Sequence, residues 1–75
     1  MQETGQITIE TGATYARAYG GLHEKARVLG IHKDQFGIPH VEYSLEVRRM
    51  ATTHPSIERR TLALASFRDR YRDTV

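Results

Sequence analysis

The stretch Asp34-Gln-Phe-Gly-Ile-Pro-His-Val-Glu-Tyr-Ser-Leu-Glu-Val-Arg48 decides the reading of this chain. From Val41 to Val47 the odd positions are apolar and the even ones polar. That is the period of a strand with one face buried. Asp34-Gln-Phe-Gly37 has the preferences of a type I turn closed by a left-handed glycine, which makes a three-residue hairpin loop with a bulge. The loop sets Asp34 against Ile38, so paired positions add to 72. Ile31 then faces Val41, His32 faces His40, Leu29 faces Tyr43 and Arg27 faces Leu45. A two- or four-residue loop would put the apolar residues of the two strands on opposite sides. Pro39 removes one ladder hydrogen bond near the strand start.

Working outward, Ile7 and Ile9 alternate with Thr8 and Glu10 as a short strand, and Thr11-Gly12 bends the chain. Ala13 to Tyr19 alternates again, with Tyr15, Arg17 and Tyr19 on one face, and Gly20-Gly21 breaks it. Residues 25–33 form the first strand of the hairpin and residues 50–56 a loop. Arg59 to Leu64 reads as a short strand with Leu62 and Leu64 on one face. Ser66-Phe-Arg-Asp69 has the spacing of a capping box. Phe67 and Tyr71, four apart, share the face of a terminal helix of about two turns, which must dock on the sheet to persist. Tyr43, Phe67 and Tyr71 are assigned to the core, and residues 1–6 to a disordered tail ahead of one domain over 7–73.

Length and composition narrow the classes. Seventy-five residues make one small domain. The chain has no cysteine, so neither disulfides nor thiolate metal sites support its core. No apolar run approaches the roughly 20 residues of a membrane helix, and Met1 to Thr4 lacks the pattern of a signal peptide. These features predict a cytoplasmic protein with no membrane partner. The formal net charge is +2, and nine of the eleven cations are arginine. Residues 1–37 are neutral, and the excess falls in residues 38–75.

No helix lies between the predicted strands, so the sheet is antiparallel. Four or five strands with so small a helix are expected to curl into a partly open barrel. Gly12-Ala-Thr-Tyr-Ala-Arg17 leading into Lys25-Ala-Arg-Val-Leu-Gly-Ile31, then the Asp–Gly hairpin and Arg60-Thr-Leu-Ala-Leu-Ala-Ser-Phe67, resembles the strand order of SH3-like small β-barrels such as Tudor and KOW modules. The resemblance covers most of residues 12–72 and lies in element order; no family motif is matched. The chain is also similar in character to short bacterial proteins. What the resemblance implies is a non-enzymatic binding module.

Several side chains are candidates for chemistry. His32 and His40, paired on the polar face with Glu42 and Glu46 nearest, have a spacing that could chelate a divalent ion; two solvated imidazoles are the ordinary reading, and no metal or cofactor is assigned. Arg48 and Arg59 should point outward, with Arg49 and Arg60 in the opposite phase. With Glu58 as the one acid between Arg48 and Arg60, this rim is the candidate phosphate surface. Phe36, at the turn tip, is a candidate partner contact. The serines sit in no nucleophile motif and no phosphate loop is present, so no catalytic residue is assigned. The expected function is a protein–protein adaptor, through a groove, a strand edge or self-association. Nucleic-acid or ribonucleoprotein binding through the arginine rim is the alternative.

Overall fold

The computed structural model of the chain describes residues 8–49 and 54–71. Four antiparallel strands follow one another in space as in sequence: β1 (Thr14–Tyr19), β2 (Leu22–Lys33), β3 (Pro39–Arg49) and β4 (Ser56–Ala63). A short helix, α1 (Leu64–Arg70), continues directly from β4. The fold is therefore mainly β, an open four-stranded sheet with one short C-terminal helix. β1 and β4 are its two edges. The expected antiparallel sheet, strand count and terminal helix are present, and the expected hairpin pairing holds from Lys33 to Gly30. The helix covers one face, so the sheet buries an apolar side while remaining open. The shortest dimension is 19 Å, about the depth of one sheet and one helix.

The turns follow the glycines. Gly20 and Gly21, at φ +52° and +80°, make the two-residue link between β1 and β2, since a tight turn with two left-handed residues matches the twist of the strands. Gly37, at φ +80°, closes the Asp34 loop. There the Gly37 N–H donates to the Asp34 carbonyl and the Asp34 N–H to the Ile38 carbonyl. The Asp34 carboxylate accepts from the Phe36 and Ile38 N–H groups at 2.8 and 3.0 Å. The turn is the one expected from sequence.

Register agrees with expectation for four pairs and then departs. Lys33, His32, Ile31 and Gly30 face Pro39, His40, Val41 and Glu42, each pair adding to 72. Leu29 has no opposite residue. It is a β-bulge, and Val28, not Leu29, faces Tyr43, with Ala26 facing Leu45 and Arg27 facing Ser44. The expected partners of Leu29 and Arg27 are thus corrected by one position. The reason is burial. Continued at 72, the register would turn Arg27 and Lys25 inward; the extra residue instead places Val28, Ala26 and Glu24 on the covered face. Leu29 is left 39% exposed.

Ala26, Val28, Val41, Tyr43, Leu45, Phe67 and Tyr71 form the buried core with Ile9. Phe67 is its hub, with ring centroids 5.7 Å from Tyr15, 4.9 Å from Tyr43 and 4.8 Å from Tyr71. The first two are edge contacts, which add to the burial of a large apolar ring. Helix α1 begins at Leu64, two residues before Ser66, and its N-cap, Ala63, makes no side-chain cap. The expected capping by Ser66 is therefore corrected: docking of Phe67 and Tyr71 holds this helix, with Arg68 and Arg70 suiting the negative end of its dipole.

Residues 8–10 are not strand, although Ile9 is buried. The Glu10 N–H donates to the Tyr15 hydroxyl at 3.1 Å, which donates to the Thr8 carbonyl at 3.2 Å, tying this segment to β1. β4 begins at Ser56, earlier than expected, and Leu64 belongs to the helix. Glu42, Ser44 and Glu46, the polar positions of the alternation and so expected to be exposed, are half-buried. The expected tail over 1–6, most of the loop over 50–56, and Arg72 lie outside the described residues.

Candidate functional site

The two faces of the sheet differ in kind. On the covered face, the bulge brings Glu24 inward, where it is 3% exposed. Its carboxylate accepts from Tyr19 Oη at 2.8 Å, Tyr71 Oη at 3.0 Å, Arg17 Nε at 3.2 Å and Arg70 Nη2 at 3.3 Å. Arg17 also lies over the Tyr19 ring, 4.3 Å from its centroid. β1, β2 and α1 thus meet on one charged side chain. Burial pushes the Glu24 carboxyl up, but the Tyr19 and Tyr71 hydrogen bonds and the charges of Arg70 and Arg17 outweigh it, holding the carboxyl below its ordinary value. Burial and the nearby Glu24 charge push the Tyr71 hydroxyl up to about 12. Every donor here points at one carboxylate, so the cluster is a joint between helix and sheet.

The opposite face is laid open. Thr14, Arg27, Ser44 and Arg59 lie in one row across the four strands, and Ala16, Lys25, Glu46 and Ile57 in the next. Between them is a shallow depression of about 230 Å3 lined by Thr14, Lys25, Arg27, Ser44, Glu46 and Ile57. It contains no aromatic side chain. Lys25, Arg27, Arg48 and Arg59 share this face with Glu42 and Glu46. Four cations against two carboxylates leave +2, equal to the formal net charge of the chain.

The expected arginine rim is divided. Arg48 and Arg59 are on the open face, while Arg60 pairs with Tyr43 and Arg49 with Leu22, in the other phase. Three of them have carboxylates close by: Arg48 Nη2 is 3.6 Å from Glu46, Arg59 Nε 3.4 Å from Glu42, and Arg60 Nε 3.0 Å from Glu58. Arg49 is exposed at the end of β3. Lys25 and Arg27 have no carboxylate within ion-pair distance among the described residues, yet they are absent from the candidates chosen from sequence. The missed signal is the break in phase between Val28 and Ile31, which turns both cations outward.

His32 and His40 face one another as expected. His40 Nε2 lies 3.0 Å from Asp34 Oδ2, and His32 Nε2 lies 4.0 Å from Glu42 Oε1. Among the described residues no three ligand-type side chains converge on a metal position. Phe36 is 77% exposed at the turn tip, so it stands clear of the ribbon. No described helix is long and apolar enough to cross a membrane.

β4 supplies the remaining feature. One of its edges pairs with β3, and among the described residues no strand pairs with the other. Its first six residues are exposed, and Ile57 is 66% exposed. No family model, curated protein or solved structure matches the chain. The class it defines is structural: an open antiparallel meander with one face covered by a terminal helix, the other bare, and a long free edge.

Proposed function

We propose that this chain is a small, non-enzymatic binding module, a protein–protein adaptor that takes up a partner strand along the free edge of β4. The observation that carries this reading is the eight-residue edge strand, exposed over Ser56–Thr61 and without a bulge in its pairing to β3. Such an edge offers a row of backbone donors and acceptors, which strand addition uses for affinity. The resemblance of the strand order to SH3-like barrels leads to the same class by a separate route. A cytoplasmic location and a bacterial source belong to the same proposal. The test compares affinity capture by wild type with capture by Thr61→Pro, which removes an outward-facing backbone donor of the free edge and leaves the ladder to β3 intact. A partner retained by wild type and lost with the variant, while the variant keeps its fold, is the expected result. Equal capture by both would remove the edge from the account.

A nucleic-acid reading is favoured by one observation, the cations Lys25 and Arg27, without a carboxylate partner among the described residues, on an open face of net positive charge. Against it stand the absence of an aromatic stacking surface there and the carboxylates beside Arg48 and Arg59. Anisotropy with mixed-sequence oligonucleotides at low salt decides between them, since phosphate binding is strongest there. The adaptor reading expects no binding. Binding that Lys25→Gln with Arg27→Gln weakens, with a shallower salt dependence, would replace it.

A further inference from the structure

The free edge of β4 is complementary to itself. Two copies joined across a two-fold axis perpendicular to the sheet run antiparallel and keep the same face on the same side. Paired positions then add to an even number, because directly opposite residues share a face. For a strand spanning Ser56–Ala63, sums of 118 and 120 give the longest overlap. At 120, Arg60 faces its own copy and Glu58 faces Leu62. At 118, Glu58 faces the second copy's Arg60 twice over, and Ile57 faces Thr61. Arg59 then faces Arg59, each already held 3.4 Å from Glu42. At 116, Glu58 meets Glu58 and the overlap shortens. Opposite charges placed directly across strands stabilise pairing and like charges oppose it, so 118 is the favoured register.

The fold leaves room for this contact. α1 leaves the end of β4 and runs back over the sheet: Phe67 packs on Tyr15 and Tyr43, and Arg70 reaches Glu24 on β2. Glu58 and Arg60 on that same face are about half exposed. They bond one another within the strand at 3.0 Å, and the same two groups are available for exchange with a second copy.

We infer that the partner taken up by the β4 edge is a second copy of this chain, paired antiparallel with Arg59 on the two-fold axis to make one continuous eight-stranded sheet. This inference rests on the proposed edge-binding function and names its occupant.

Two experiments test it. The chain has no cysteine, so single cysteines report the register cleanly. Directly opposite strand residues are about 4.5–5.5 Å apart at Cα, within the span of a disulfide, roughly 4.4–6.8 Å. Arg59→Cys should oxidise readily to a covalent dimer, and Thr61→Cys, displaced from its own copy in this register, should not. In the second experiment, Glu58→Arg and Arg60→Glu are made in separate chains and followed by sedimentation. Each alone sets like charges against like and should be monomeric. Their mixture restores opposite charges at both positions and should dimerise. A wild type that stays monomeric to about 1 mM, where an association worth about 4 kcal/mol would show, overturns the inference. So does a dimer in which Thr61→Cys cross-links as well as Arg59→Cys. A monomeric wild type that still captures another protein, lost with Thr61→Pro, would leave the adaptor reading standing and remove only the second copy.

Discussion

Glu24 and Tyr71, 47 residues apart in sequence, are joined by a 3.0 Å hydrogen bond from the tyrosine hydroxyl to Oε1. With the Arg70–Glu24 pair beside it, this bond fastens the C-terminal helix to the second strand. Replacing Glu24 by glutamine removes the charge that Arg17 and Arg70 share and leaves more donors than acceptors. The expected loss is about 2 kcal/mol or more in urea unfolding, below the cost of breaking a fully buried pair because both arginines are about one-third exposed. A change under about 0.5 kcal/mol, the range of an ordinary surface substitution, would show that the joint is not Glu24.

The same carboxyl gives a pH dependence. Its folded value lies below the ordinary 4.5. Its contribution is therefore fully present above that unfolded value and is lost as pH falls through the folded one. Denaturation midpoints should fall for wild type below about pH 4.5 and fall less for Glu24→Gln. Parallel curves for the two proteins would assign the acid sensitivity to other groups. At the alkaline end, Tyr71 should ionise near 12, above the ordinary tyrosine value, in an ultraviolet titration of the folded protein.

The helix separates two explanations of its own stability. Phe67→Ala removes the hub of the aromatic cluster and should cost about 3 kcal/mol or more. Ser66→Ala should lie within about 0.5 kcal/mol of wild type, because Ser66 is inside the helix and caps nothing. A loss near 1 kcal/mol for Ser66→Ala, the usual value of a cap, would restore the helix start to Ser66.

Gly37→Val tests the hairpin. A Cβ at this position meets nothing within 4 Å, so any cost comes from the positive φ that a β-branched residue resists. The expected loss is about 1 kcal/mol or more, read as a lower melting temperature. An unchanged melt would mean that the loop adopts another turn.

Deletion of Leu29 tests the bulge. Removing the one residue without an opposite number leaves Val28 against Tyr43 and Gly30 against Glu42 in an unbroken ladder. The shortened protein should fold and retain the Tyr71 titration near 12. Loss of that late titration would mean that Glu24 had left the covered face.

What could be read from residues alone was local. Asp34 and Gly37 specify their turn because φ and side-chain hydrogen bonding are decided within four residues. The alternation from Val41 to Val47 specifies which side of β3 is buried, and the four-residue spacing of Phe67 and Tyr71 specifies the docking face of the helix. Beyond Gly30 the local rule gave way. A register counted from a turn holds only until one residue is inserted, and that insertion is decided by what the facing layer can accept: Val28, Ala26 and Glu24 rather than Leu29, Arg27 and Lys25. Ala26 and Val28 are even and Ile31 is odd, so the change of phase is present in the chain, but its meaning depends on Tyr43 and Leu45 across the ribbon. The joint at Glu24, the cations laid on the open face and the free edge of β4 all follow from that long-range packing. The openness of the sheet does too, because whether strands curl or lie flat depends on how much of one face the helix covers.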